Sequence, residues 1–260
     1  MKVAIDAGHG GMDLGSIYGN RNEKDDNLKL ALAVGDKLKD AGVDVYYTRT
    51  EDTYDSPIER ARLANDSMAD AVVTIHRNVA TTPNTYTGAE GFIHSEGGIK
   101  SRIAERILSN LAEVGFLNLG VNPMANDVLL KRTQMPAVLL EVGFINTDTD
   151  NELFDTRLDE IASAIADGIV SELQNINENH PNIYRVQVGG LSSESLAQRV
   201  AYHLFLDGYE PIIKPKNELF VVHVGEVFLL DQVVMLEQNL RLLGYNTLII
   251  AEANNNLDLT

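Results

Sequence analysis

The sequence predicts an α/β protein, with a mostly parallel sheet flanked by helices over residues 1–175 and a small α+β domain of βαββαβ order behind it. Three observations carry this. Strand-like apolar runs alternate with helix-period segments through about residue 175, the pattern of a layered domain. A polar, Asn-rich stretch, "QNINENHPN" at 174–182, interrupts that pattern and reads as a linker, placed at 176–182. Beyond it the text repeats: "YRVQVGG" (184–190) recurs as "FVVHVGE" (220–226), and Gly189/Gly225 and Gly208/Gly244 are each 36 positions apart.

In chain order, "KVAIDA" (2–7) is an apolar strand. In "NLKLALAVGDKLKDAG", Leu28, Leu32, Gly35 and Leu38 keep helical spacing and Gly42 supplies the stop. "VDVYYTRT" (43–50) returns as a strand and completes a βαβ unit. Ser56 caps the next helix, Pro57 sits at its first position with Glu59 close behind, and "AVVTIHRN" resumes the sheet. "GAEGFIHS" reads as a short strand, "GIKSRIAERILSNLAEVG" as an amphipathic helix ended by Gly115, and "PAVLLEVGFIN" as a deeply buried strand. A helix near 156–175 closes the domain. Each 36-residue repeat is then strand, helix, strand, so two of them give four strands with two helices on one face over 183–253, leaving 254–260 as a frayed tail.

Composition excludes several functions. With 38 Asp plus Glu against 21 Lys plus Arg, the chain offers no partner surface for nucleic-acid phosphates or an anionic membrane. It has no cysteine, so disulfides, thiolate metal sites and cysteine nucleophiles are absent, and any metal must be held by His and carboxylates. No apolar run reaches the roughly 18 residues of a membrane span. The first residues read as a buried strand rather than an export signal, so synthesis in the cytoplasm without a signal peptide is the expectation.

His9 follows the first strand and His76 ends another. In open α/β sheets the carboxyl ends of the strands line the functional crevice, so both would enter one site if their strands are neighbours. Glu23 precedes the first helix, where a loop returns over that edge; Asp25 and Asp26 compete with it for the role of helix-terminus carboxylate. Glu141 stands inside the apolar run "PAVLLEVGFI", where an unpaired charge is costly, so it calls for a reason. A salt bridge to Lys131 or Arg132 is the structural one. His94 reads as a surface-strand residue, His180 as a solvated loop residue and His203 as a helix surface or packing residue.

Four stretches in this order, "AIDAGHGGMDLG", "NEKDDNLKLALAV", "TIHRNVA" and "LKRTQMPAVLLEVGFINTDTDNELF", resemble the zinc-dependent N-acetylmuramoyl-L-alanine amidases of the type-3 family, found in autolysins and phage endolysins. The resemblance covers residues 1 to about 175. It implies one zinc ion on His9, Glu23 and His76, Glu141 as catalytic acid/base, and peptidoglycan as substrate. Arg77 departs from the small residue usual after the second His; with Asn78 it is assigned to substrate contact, in a narrower or more basic groove. The repeat after the linker resembles a SPOR domain, a module that binds glycan stripped of peptide, with Gln187 and His223 at equivalent places as candidate sugar contacts. The resulting expectation is a wall hydrolase cutting between N-acetylmuramic acid and L-alanine, released by a phage holin or by mother-cell lysis in sporulation. A silent wall binder and a zinc hydrolase of another amide are the alternatives.

Overall fold

In a computed structural model of the protein, residues 1–179 and 182–253 are described. They fall into two compact units that divide between Gln174 and Asn175.

The first unit runs β1 (Lys2–Ala7), β2 (Ile17–Tyr18), β3 (Arg21–Asn22), α1 (Glu23–Asp40), β4 (Asp44–Tyr47), α2 (Pro57–Asp66), β5 (Ala71–Asn78), β6 (Ala89–Ile93), α3 (Gly98–Val114), β7 (Asn118–Pro123), α4 (Val128–Arg132), β8 (Ala137–Phe144), α5 (Asp148–Thr156) and α6 (Leu158–Asn179). Six strands form one sheet in the order β4-β1-β5-β8-β6-β7. Its first four strands are mutually parallel, β6 enters antiparallel to β8, and β7 runs parallel to β6. The expected α/β class with a mostly parallel sheet is therefore the observed one. On one face, Ala4, Val72, Ala137 and Leu139 meet Ala61 and Ala64 of α2 and Leu129 and Leu130 of α4.

Local chemistry explains the boundaries. Ser56 accepts the Glu59 amide at 3.2 Å and Pro57 opens α2, so its capping reads as expected. The short β2–β3 hairpin, β7, α4 and α5 are additions to the sequence reading. Helix α6 runs on to Asn179, through part of the stretch expected as linker. The residues of that stretch up to Asn179 include neither proline nor glycine, so nothing in them breaks the helix. His180, and the tail expected at 254–260, lie outside the described residues.

The second unit runs β9 (Asn182–Leu191), α7 (Glu194–Leu206), β10 (Pro211–Lys216), β11 (Leu219–Val227), α8 (Leu230–Leu242) and β12 (Thr247–Ala253). This is the βαββαβ order, closed into a four-stranded sheet β10-β11-β9-β12 whose pairings are all antiparallel. Val186, Val188, Val222 and Val224 pack under Ala197 and Leu204 of α7 and Val233 and Leu240 of α8. Both helices cover the same face.

Candidate metal centre

β1 and β5 are parallel neighbours, so the loop after β1 and the end of β5 meet at one sheet edge. The backbone turns sharply there: His9, Gly10 and Gly11 all have positive φ, at 61°, 139° and 55°. A non-glycine residue in the left-handed region is a strained placement of the kind that clusters at functional sites. Gly8 is required by close approach, since a Cβ on it would lie 2.2 Å from the His76 ring.

Glu23 opens α1, and its carboxylate meets both imidazoles: Oε1 lies 2.9 Å from His76 Nδ1 and 3.2 Å from His9 Nε2. The two rings stand edge to face with centroids 5.0 Å apart. Backbone and side-chain donors fix the carboxylate, with Ser16 N donating to Oε2 at 2.8 Å, and Arg77 N and Asn27 Nδ2 donating to Oε1 at 3.2 and 3.3 Å. Burial alone would raise the Glu23 pKa; hydrogen bonds and charge from His76 and His9 reverse this and hold it far below the usual carboxylate range.

One donor atom from each of His9, Glu23 and His76 lies within 4.8 Å of the others, so the three could hold a metal ion. The 2.9 and 3.2 Å separations approach the edge of about 3.3 Å that a tetrahedron with zinc-length bonds would have. Two imidazoles and one carboxylate are a three-donor set that leaves a fourth position for water or substrate. The residues present thus fit such a metal. Asp13, missed in the sequence, accepts from His9 Nδ1 at 2.8 Å and points Nε2 at the cluster. Its place four residues after His9, beyond two glycines, was the available signal.

Glu141 lies on β8 directly opposite His76 of β5, on the same face of the sheet. Its Oε2 is buried with no hydrogen-bond partner among the described residues, and no ion pair to Lys131 or Arg132 is found there. Burial pushes its pKa up to about 7, with the nearby charges of Glu23 and Glu90 adding to the rise against the lowering effect of His76. Glu90, also missed, is the register partner of Glu141 from antiparallel β6 and accepts from Asn122 at 2.9 Å and Asn78 at 3.5 Å.

Arg77 is a correction. Strand alternation turns it away from His76, and its side chain is wholly buried, paired with Asp26 at 2.6 Å, bonded to Asn151 at 2.7 Å and stacked 4.3 Å over the Phe154 ring. It braces the sheet against α1 and α5 and cannot touch substrate or make the groove more basic. Asn78, two residues beyond His76, stays half-buried beside Glu90. His94 is half-buried just past β6, outside the donor cluster, and His203 is exposed on α7.

In the second unit, Gln187 and His223 are direct register partners on β9 and β11. They face away from the helices, as alternation requires of neighbours of Val186, Val188, Val222 and Val224. Among the described residues, no helix is long and apolar enough to cross a membrane.

Comparison with known proteins agrees with this geometry. The family described as N-acetylmuramoyl-L-alanine amidase matches residues 3–171. A sporulation-specific N-acetylmuramoyl-L-alanine amidase of Bacillus subtilis is 29% identical over 223 residues, covering 84% of this chain and 86% of that protein. The N-acetylmuramoyl-L-alanine amidase CwlM of Bacillus licheniformis is 30% identical over 219 residues, 82% of this chain and 84% of that one. Both likenesses are longer than the first unit. Among solved structures, an N-acetylmuramoyl-L-alanine amidase from Clostridium difficile 630 superposes with a TM-score of 0.63 at 36% identity, covering 66% of this chain and 96% of that one.

Proposed function

The chain belongs to the N-acetylmuramoyl-L-alanine amidase family, and from that premise we propose that it is a zinc-dependent peptidoglycan amidase whose first unit, Met1–Gln174, hydrolyses the bond between N-acetylmuramic acid and L-alanine. One observation carries the reading: the His9, Glu23, His76 donor cluster with an unpaired Glu141 carboxyl facing it from the next strand.

His9, Glu23 and His76 would hold the ion, with Asp13 fixing the His9 ring. When bound there, zinc supplies Lewis-acid chemistry, lowering the pKa of water and polarising an amide carbonyl. Glu141 takes the proton from the attacking water and returns it to the departing L-alanine nitrogen. A carboxyl with a pKa near 7 suits both halves of that exchange at neutral pH, because it gives and takes a proton with little free-energy bias. Asn78 and Glu90 line the same edge beside Glu141 and would contact the substrate there.

The second unit, over 183–253, serves as a SPOR-like wall-binding domain, with Gln187 and His223 on the sheet face away from its helices. The likeness to a sporulation-specific amidase over 84% of the chain supports a place in wall remodelling during sporulation.

Purified peptidoglycan digested with the protein before and after chelation, with new amino termini labelled and identified by mass, tests the reading. Stem peptides beginning in L-alanine should appear, stop with chelator and return with zinc. Release that ignores the chelator would overturn the metal assignment. Free acetate, or peptides cut within the stem, would overturn the amidase assignment for this chain.

A further inference from the structure

The chain after β4, residues 49–54, lies against the turn that carries His9. Asp52 accepts the Gly11 amide at 2.7 Å and the Lys24 ammonium at 2.5 Å, and Lys24 also donates to the Gly11 carbonyl at 2.9 Å. The approach is so close that a Cβ on Gly10 would collide with the Thr53 carbonyl. Arg49, at the root of this strap, is buried, and the two carboxylates whose charges act on it most are held elsewhere. Asp6 is paired with Arg60 and Asp52 with Lys24, each at 2.5 Å.

Among the described residues, the hydrogen bonds of the Arg49 side chain all go to main-chain carbonyls. Nε donates to Ala7 at 3.0 Å, Nη2 to Gly8 at 3.0 Å and to Lys24 at 2.9 Å, and Nη1 to Glu51 at 3.1 Å. Ala7 and Gly8 immediately precede His9, and Lys24 immediately follows Glu23. One rigid, planar guanidinium thus ties the chain entering His9 to the chain leaving Glu23. Burying a cation is costly, and carbonyls answer its charge less fully than a carboxylate, so what this arrangement gains is the placement of main chain. Placement matters at His9, whose φ of 61° is a backbone state that persists only where the surroundings over-determine it.

We propose that Arg49 is a positioning residue for the metal centre: it fixes the spacing of His9 and Glu23, two of the three donors, with the Asp52–Lys24 pair as a second tie on the same strap. The effect reaches the donors through their main chain, since the Arg49 hydrogen bonds end on carbonyls beside His9 and Glu23 rather than on the imidazole or the carboxylate. Lysine cannot take its place, because a compact ammonium cannot span the carbonyls that the planar fork reaches from three nitrogens. This rests on the metal-centre reading above.

The test is the zinc affinity of the full chain by chelator competition, with the visible bands of the cobalt(II)-loaded protein as a second readout of donor geometry. Arg49→Lys should weaken zinc binding about 10–100-fold, the scale of outer contacts that orient metal ligands, and should alter the cobalt bands. Ile103→Ala is the comparison for general instability. It opens a cavity in the core on α3, which packs on β6, β7 and β8, and should lower the melting temperature while zinc affinity and cobalt bands stay as in wild type. Asp52→Asn removes the second tie at an exposed position, so it keeps the test open if Arg49→Lys does not fold. It should weaken zinc binding about two- to fivefold, the scale of an exposed ion pair, with little change in melting. An Arg49→Lys protein that melts lower but holds zinc as tightly as wild type would overturn the positioning role, as would unchanged affinity in Asp52→Asn or an equal loss in Ile103→Ala. Wild-type protein that binds zinc no better than His9→Ala would instead overturn the metal-centre reading itself.

Discussion

His76 and Arg77 are adjacent in sequence and opposite in role, because alternation on β5 sends one to the cluster with His9 and Glu23 and the other beneath the sheet. Arg77→Ala removes one of the two arginines on Asp26, leaving Arg21 at 2.6 Å, and empties the buried space closest to the Phe154 ring, so it should cost about 2–3 kcal/mol of stability, read by urea unfolding. Arg77→Lys should recover little, since an ammonium cannot replace a planar fork bonded to both Asp26 and Asn151. Stability within 1 kcal/mol of wild type would remove the bracing role assigned here. Glu141 presents the converse case, a group that disfavours the fold. Its folded pKa of about 7 lies above the ordinary value, so the unfolded chain ionises first and stability attributable to this group falls as pH rises from about 4.5 to 7. Glu141→Gln should therefore abolish turnover yet raise the melting temperature of the chelated protein. The gain should be small at pH 4, grow through pH 7, and reach at most about 3 kcal/mol. A variant melting below wild type at pH 8 would contradict the burial argument.

At the scale of elements, the site depends on how tightly β1 and β5 approach at their carboxyl ends. Gly8→Ala would place a methyl within 2.2 Å of the His76 ring, in a side chain held by Glu23. The ring must rotate, so zinc affinity measured by chelator competition should fall about 10–100-fold, as for lost orienting contacts around a metal ligand. Melting of the chelated protein should change far less; equal losses in both would mean that Gly8 serves the fold rather than the site. The strands carrying this edge were legible because β1, β5 and β8 are apolar runs bounded by turns, and α1 and α3 because their apolar residues keep helical period. The elements that escaped are those without a period to read. β2 and β3 have two residues each, α4 has five, and β7 carries a glycine and a proline in six. The linker reading rested on polarity, Asn content and Pro181, of which the first two are shared by the last turns of a helix. Glu90 escaped because only the antiparallel entry of β6 sets it level with Glu141, and single-strand periodicity carries no information about strand direction. Arg77, by contrast, was readable: a residue next to a site histidine on a strand faces the other way.

For the whole molecule, the question is what two separately cored units gain from one chain. The first closes its own core with α6, whose Ile169 and Leu173 are buried and whose Glu172 is held by Arg102 and Arg106. A protein ending at Asn179 keeps all of these groups and should fold, with kcat/KM on a soluble muramoyl-peptide within about twofold of the full chain, the scatter expected when no contact to the reacting groups is lost. On insoluble wall the two should diverge. If the second unit binds the wall as proposed, it would hold the first near the surface at an effective concentration that reaches the millimolar range, without altering any contact to the scissile bond. Digestion of insoluble peptidoglycan by the shortened protein should thus be slower by about 10-fold or more. The difference should shrink when soluble, peptide-stripped glycan is added to compete for the second unit of the full chain. An equal loss on the soluble substrate would show that the second unit supports the catalytic fold rather than its location. An equal rate on the wall would show that it adds nothing to targeting, and either result would break the link between the two units argued above.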